Sequence, residues 1–172
     1  MTDPRHPDRA DLGDDDYRRL RPMRATPADE LCHCAGTPDL MPQEHLSANP
    51  IACFDCAREV PPERIGYPSA LAEQLARWRS FQYCVYYLWL DSAEFEAFAR
   101  AALEDPHSVL NPRSFAMVRA LNDVRRTYLY WFQHIGKADF VRLTHCPNCT
   151  QRLTLDTARW VCQPCAITVA NS

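Results

Sequence analysis

Eight of the nine cysteines fall into four closely spaced pairs: Cys32-His33-Cys34 with Cys53-Phe54-Asp55-Cys56, and Cys146-Pro147-Asn148-Cys149 with Cys162-Gln163-Pro164-Cys165. The second set reads CxxC-x12-CxxC, a spacing that brings four thiolates to one tetrahedral ion when the intervening residues fold back as a hairpin. The first set, CxC-x18-CxxC, has a tighter one-residue knuckle. Both are read as Zn²⁺ sites with Cys32, Cys34, Cys53 and Cys56, and Cys146, Cys149, Cys162 and Cys165, as ligands. His33, His45 and His145 lie close enough in sequence to replace a cysteine, and an iron-sulfur cluster or thiol-disulfide exchange would also use such pairs. Four thiolates fill a tetrahedral shell and leave no position to activate water, so both sites read as structural.

Nine cysteines also suit a secreted disulfide scaffold. The first thirty residues, however, carry eight acidic and six basic side chains and no apolar run of signal-peptide type. The longest apolar stretch, Tyr83 to Leu90, is far short of the ~20 residues of a membrane span. The expectation is a soluble, cytoplasmic protein with reduced thiols held by metal.

The formal net charge of −3 argues against indiscriminate binding to nucleic acid, which needs clustered Lys and Arg. Only residues 137–172 are locally basic, at +2, and Lys137, Arg142, Arg152 and Arg159 are their cations. These four are the candidate phosphate contacts, with Trp160 as a stacking residue. Eighteen of the nineteen cations are arginines, which suit bidentate recognition but equally reflect a biased codon usage.

Residues 1–30 are charged and without apolar periodicity, and read as a loosely ordered arm. Residues 31–67 are too proline-rich for a long helix and form an N-terminal zinc-binding module. Residues 68–136 read as a three-helix domain. A first helix over about 70–90 is capped by Ser69 and carries Leu71, Leu75, Trp78, Phe81 and Val85; Cys84 is expected within its core face. A second runs over about 92–104 from an Asp91/Glu94 capping box. A third starts at Asn111-Pro112 and carries Phe115, Val118, Tyr128, Trp131, Phe132 and Ile135 to Gly136.

Residues 137–172 complete the chain as a zinc ribbon. Phe140 to Leu143 is expected as a strand, Gln151 to Leu155 pairs with Arg159 to Val161, and Ile167 to Val169 adds a third strand. The fold class is thus mostly α with small β: a three-helix core flanked by two four-cysteine zinc modules. The aromatic residues Tyr83, Tyr86, Tyr87, Trp89, Tyr128, Tyr130, Trp131 and Phe132 read as core or as a stacking platform. Asp91, Asn111, Arg113 and Asn122 could line a polar groove beside Tyr128. No phosphate-cradling glycine loop, nucleophile elbow or HExxH motif is present.

Leu88-Trp89-Leu90-Asp91-Ser92 with Phe95-Glu96, Asp105 to Asn111, Tyr128-Leu129-Tyr130-Trp131-Phe132, and the ribbon from Cys146 to Cys165 together resemble an uncharacterised bacterial family of zinc-ribbon proteins described as candidate nucleic-acid binders. The resemblance covers roughly residues 30–170 and implies a bacterial zinc protein with that role. The chain departs from it at Thr150 and Ala166, where many knuckles place glycine. The functional expectation is a zinc-stabilised, non-catalytic adaptor that binds a macromolecule, with nucleic acid as the named partner; the alternative is a protein-interaction subunit of a larger complex, and an enzyme working in the helical groove is a third reading.

Overall fold

The computed structural model describes residues 25–43, 49–136 and 140–170. Among them the order is β1 (Leu40–Pro42), β2 (Ile51–Cys53), α1 (Pro62–Ile65), α2 (Ser69–Asp91), α3 (Glu96–Glu104), α4 (Asn111–Asn122), β3 (Leu129–Tyr130), β4 (Thr154–Asp156), β5 (Arg159–Cys162) and β6 (Ile167–Thr168). With helix at 37% and strand at 16%, four helices share the molecule with two small sheets, and a mostly α class overstates the helices. Most of the expected arm lies outside the described residues. Its last part is tied down: Ala28–Glu30 forms a 3-10 turn, Thr26 donates to the Glu59 carboxylate, and Arg58 donates to the Asp29 carbonyl at 3.0 Å.

The first helix forms where the sequence places it, but its cap differs. Pro68, with ψ of 150°, holds the N-cap position without a side-chain bond, and Ser69 is already helical. Leu75, Trp78 and Gln82 make the buried stripe. Phe81, Tyr87 and Leu90 stay exposed on the other faces of the helix, and so does Cys84, against expectation.

Asp91 belongs to the end of α2 and accepts from the Tyr87 hydroxyl at 3.2 Å instead of capping. Phe95 holds the N-cap of α3 without a side-chain bond; Ser92, the C-cap of α2, accepts the Phe95 N–H at 3.2 Å, and α3 begins only at Glu96. Asn111 is likewise the first helical residue of α4 rather than its cap. Ser108 Oγ accepts the Leu110 and Asn111 amides, and the Asn111 side chain donates to the Leu103 carbonyl at 3.1 Å and the Asp105 carbonyl at 2.8 Å, fastening the end of α3.

The largest correction concerns the third helix, which stops at Asn122 instead of Gly136. Asn122 closes a turn by accepting the Thr127 N–H at 3.1 Å and donating to the Thr127 carbonyl at 2.6 Å. From Thr127 the chain is extended, as its β-branched and aromatic residues favour. This segment uses both of its edges. The Leu40 N–H donates to Arg126 and the Tyr128 N–H donates back to Leu40, at 3.0 and 2.8 Å, while Leu129 and Trp131 donate to Ala166 and Thr168, each at 2.8 Å. It thereby joins the antiparallel β1–β2 pair to a four-stranded sheet of order β3-β6-β5-β4, in which β3 and β6 run parallel.

The β4–β5–β6 part of the ribbon matches expectation, with Thr154 opposite Val161 and Val161 opposite Thr168. No strand forms at residues 140–143, where the backbone has no ladder partner and only an isolated His145–Arg152 bridge follows. One apolar core runs through these pieces: Leu40, Ile51 and Val60 meet Trp78, Val118 and Leu121, then Leu129, Trp131, Ile167 and Val169. Burying each such aliphatic residue contributes about 1.5–3 kcal/mol. None of the described helices is long and apolar enough to cross a membrane.

Candidate metal centres

Each expected quartet is assembled. The ligand atoms of Cys32, Cys34, Cys53 and Cys56 lie within 4.8 Å of one another, as do those of Cys146, Cys149, Cys162 and Cys165. A tetrahedral ion bonded to sulfur at about 2.3 Å places sulfurs about 3.8 Å apart, whereas a disulfide needs about 2.05 Å. Cys34 and Cys53 are 4.0 Å apart and Cys149 and Cys162 are 3.5 Å apart, and all of these cysteines are free. The donors fit a thiophilic cation. His33 lies against the Ala28 carbonyl and His145 beside the Thr144 hydroxyl, so neither joins a quartet; His45 lies outside the described residues.

The local backbone explains the convergence. In each CxxC, the residue after the second cysteine turns left-handed: Ala57 at φ 61°, Thr150 at 61° and Ala166 at 50°. The Ala57 N–H then donates to Cys53 at 2.9 Å and the Thr150 N–H to Cys146 at 2.9 Å, closing the knuckles. Glycine would adopt this conformation freely; Ala and Thr each lose about 1–2 kcal/mol. The absence of glycine at Thr150 and Ala166 therefore costs energy without preventing the turn. A structural zinc site contributes on the order of 10–16 kcal/mol, enough to offset all three.

The CxC side lacks such a knuckle and is held from outside. Arg64, on α1, donates to the carbonyls of Cys32 at 2.7 Å, Cys34 at 2.6 Å and Gly36 at 3.1 Å. Arg125 in turn donates to the carbonyls of Arg64 and Ile65, at 2.7 and 2.8 Å, and to that of Pro38. Sequence reasoning missed both arginines, because a backbone-carbonyl clamp has no motif. In the ribbon, Asn148 donates to the Cys165 sulfur at 3.4 Å. Its place inside a CxxC was the one available signal.

Burial pushes the Cys53 thiol up to about 12 and the Cys146 thiol up to about 11, against amides of their own knuckles that pull the other way; burial raises Cys162 too. Partial burial also acts upward on Cys56 and Cys149, but the Arg58 and Gln151 amides and the neighbouring thiols hold both below the ordinary value. Without a cation, the inner sulfurs of each quartet keep their protons. A divalent ion replaces those protons with bonds.

The two centres meet at one side chain. Phe54, inside the first CxxC, packs on Tyr128 with ring centroids 4.7 Å apart, and the Tyr128 hydroxyl donates to Gln163, inside the last CxxC, at 2.7 Å. Arg126 donates to that hydroxyl at 2.8 Å and pairs with Asp39 and Asp156.

The candidate phosphate contacts scatter. Arg159 donates to the Phe54 carbonyl and lies over its ring, while Arg142 lies 4.1 Å over half-buried Trp160 and donates to Leu143. Neighbours on β5, Arg159 and Trp160 project to opposite faces. Arg152 is exposed, and Lys137 lies outside the described residues. The expected groove residues separate too. Asn111 lines a cavity with Trp78 and Trp131, Arg113 lies over the Phe81 ring, Asn122 closes its own turn and Tyr128 sits between the metal centres.

Comparison of the chain with protein-family models, with curated proteins and with solved structures finds no match.

Proposed function

We propose that the chain is a zinc-stapled, non-catalytic adaptor that docks another protein through the α2–α3 hairpin. Zinc is supported by sulfur spacing that suits one ion per quartet, since a multi-iron cluster spreads its thiolates over several metals. Sealed tetrathiolate sites shape the molecule and leave binding to its surface.

One observation carries the docking reading: Leu90, Phe95 and Phe98 are 46, 55 and 65% exposed at the end of α2, in the turn after it and on α3. Exposed apolar patches of this kind mark interaction sites. The family resemblance at Leu88 to Glu96 spans the same hairpin. A photo-crosslinking residue at position 98 is expected to capture one discrete protein from native cells, and Phe95→Asp with Phe98→Asp to abolish the capture at unchanged metal content. Capture that survives the double substitution overturns the reading.

Nucleic acid is a second reading, supported by the locally basic ribbon, where Arg152 is exposed and Arg142 backs Trp160. Binding to single- or double-stranded probes that weakens steeply with salt and with Arg152→Ala would favour it.

A further inference from the structure

A cavity of about 340 Å³ opens between α2, the start of α4 and the extended segment after β3. That lies within the range of small-molecule sites, about 300–1,000 Å³. Its lining includes no Asp, Glu, Lys or Arg.

The floor is fixed. Trp78 Nε1 and Gln82 Nε2 both donate to Ser114 Oγ, at 2.8 and 2.7 Å, and the Asn111 amide is held by carbonyls of the α3 end. The wall is aromatic. Trp89 meets Phe132 at 4.8 Å and 77°, Tyr86 at 5.2 Å and 54°, and the His134 ring at 5.3 Å and 78°.

In that wall three polar atoms are buried without a hydrogen-bond partner: Trp89 Nε1, Gln133 Oε1 and His134 Nδ1. Buried polar groups are nearly always paired, and these three are closed to water as they stand, so an occupant of the cavity satisfies them only where the side chain turns toward it. The terminal torsions of Gln and His are soft, so Gln133 and His134 can turn toward a ligand at little strain. A donor, an acceptor and a ring nitrogen able to do either, set among flat π faces, complement a planar ring with a hydrogen-bonding edge. Aromatic walls alone also attract organic cations. Among the described residues that line this cavity, no carboxylate balances such a charge.

We propose that this cavity is a binding site for an uncharged planar heteroaromatic group of nucleobase or nucleoside size, stacked on the Trp89–Phe132 wall and read by Gln133 and His134. The test uses the metal-loaded full chain with adenosine, guanosine, cytidine, uridine and nicotinamide riboside's uncharged analogue nicotinamide as probes, and choline as the cationic control. Calorimetry is expected to show one site per chain for at least one heteroaromatic probe, with Kd below about 1 mM. Nuclear Overhauser contacts are expected from that probe to the Trp89 and Phe132 rings. Gln133→Leu, and Trp89→Phe, which keeps an aromatic face and loses the N–H, should each weaken binding about tenfold with metal content unchanged. Saturation by choline alone, no saturation by any probe, or contacts to Tyr128 in place of Trp89 overturns the proposal. Undiminished binding in both variants overturns it as well.

Discussion

The two metal quartets have the same ligands and different architecture. The ribbon carries its own scaffold: two CxxC knuckles, a β4–β5 hairpin, and amides that close locally, as from Cys146 to Gln151 at 2.8 Å. The N-terminal quartet borrows its scaffold. Its CxC limb is set by Arg64 from α1, Arg64's own helix is set by Arg125 from beyond α4, and β1 finds its second partner in the Arg126–Tyr128 backbone. A regular spacing thus marks a site that folds from local sequence, and an irregular one marks a site that waits for the tertiary structure.

Removing the ion is expected to have the largest effect at either site. Cys162→Ser or Cys53→Ser should cost most of the on the order of 10–16 kcal/mol that such a centre supplies, leaving no cooperative thermal transition. Elemental analysis of the unaltered protein should return two zinc ions per chain, and one iron or no metal would refute the assignment. The comparison predicts an asymmetry for Arg64→Lys, which keeps the charge and loses the fork that reaches three carbonyls. It should cost about 2–4 kcal/mol and weaken metal retention at the N-terminal quartet only, measured by chelator competition on selectively labelled cysteines. Equal loss from both quartets would show that the borrowed scaffold serves the ribbon equally. Smallest is Thr150→Gly, expected to raise stability by about 1 kcal/mol by relieving a left-handed β-branched residue, read as a higher melting temperature.

The two cysteine quartets were legible because thiolate spacing is a local property, and α2 because Leu71, Leu75 and Trp78 keep helical register over a long run. The end of α4 was not. Tyr128, Trp131, Phe132 and Ile135 sit at spacings that suit a helix, yet the same residue types favour strands. What decides is Asn122, whose side chain closes a turn on Thr127, together with free edges at β1 and β6 that local reading cannot see. The caps slipped for a related reason: Asp91 and Asn111 found other partners, and the N-cap positions fell to Phe95 and Leu110, which make no side-chain bond. Cys84 looked buried because its neighbours are apolar, but it lies on the exposed face of α2 while Tyr86 and Trp89 turn to the Phe132 side. The arginine clamp and the walled cavity arise from contacts tens of residues apart and leave no trace in spacing.

Tyr128 touches the interior of one knuckle with its ring and of another with its hydroxyl, so neither centre can be emptied without disturbing a surface on which the other rests. Because the quartets are otherwise held by different elements, a half-loaded molecule is expected to keep its ribbon and to show the vacancy there only at the Gln163 side, through this one ring and hydroxyl.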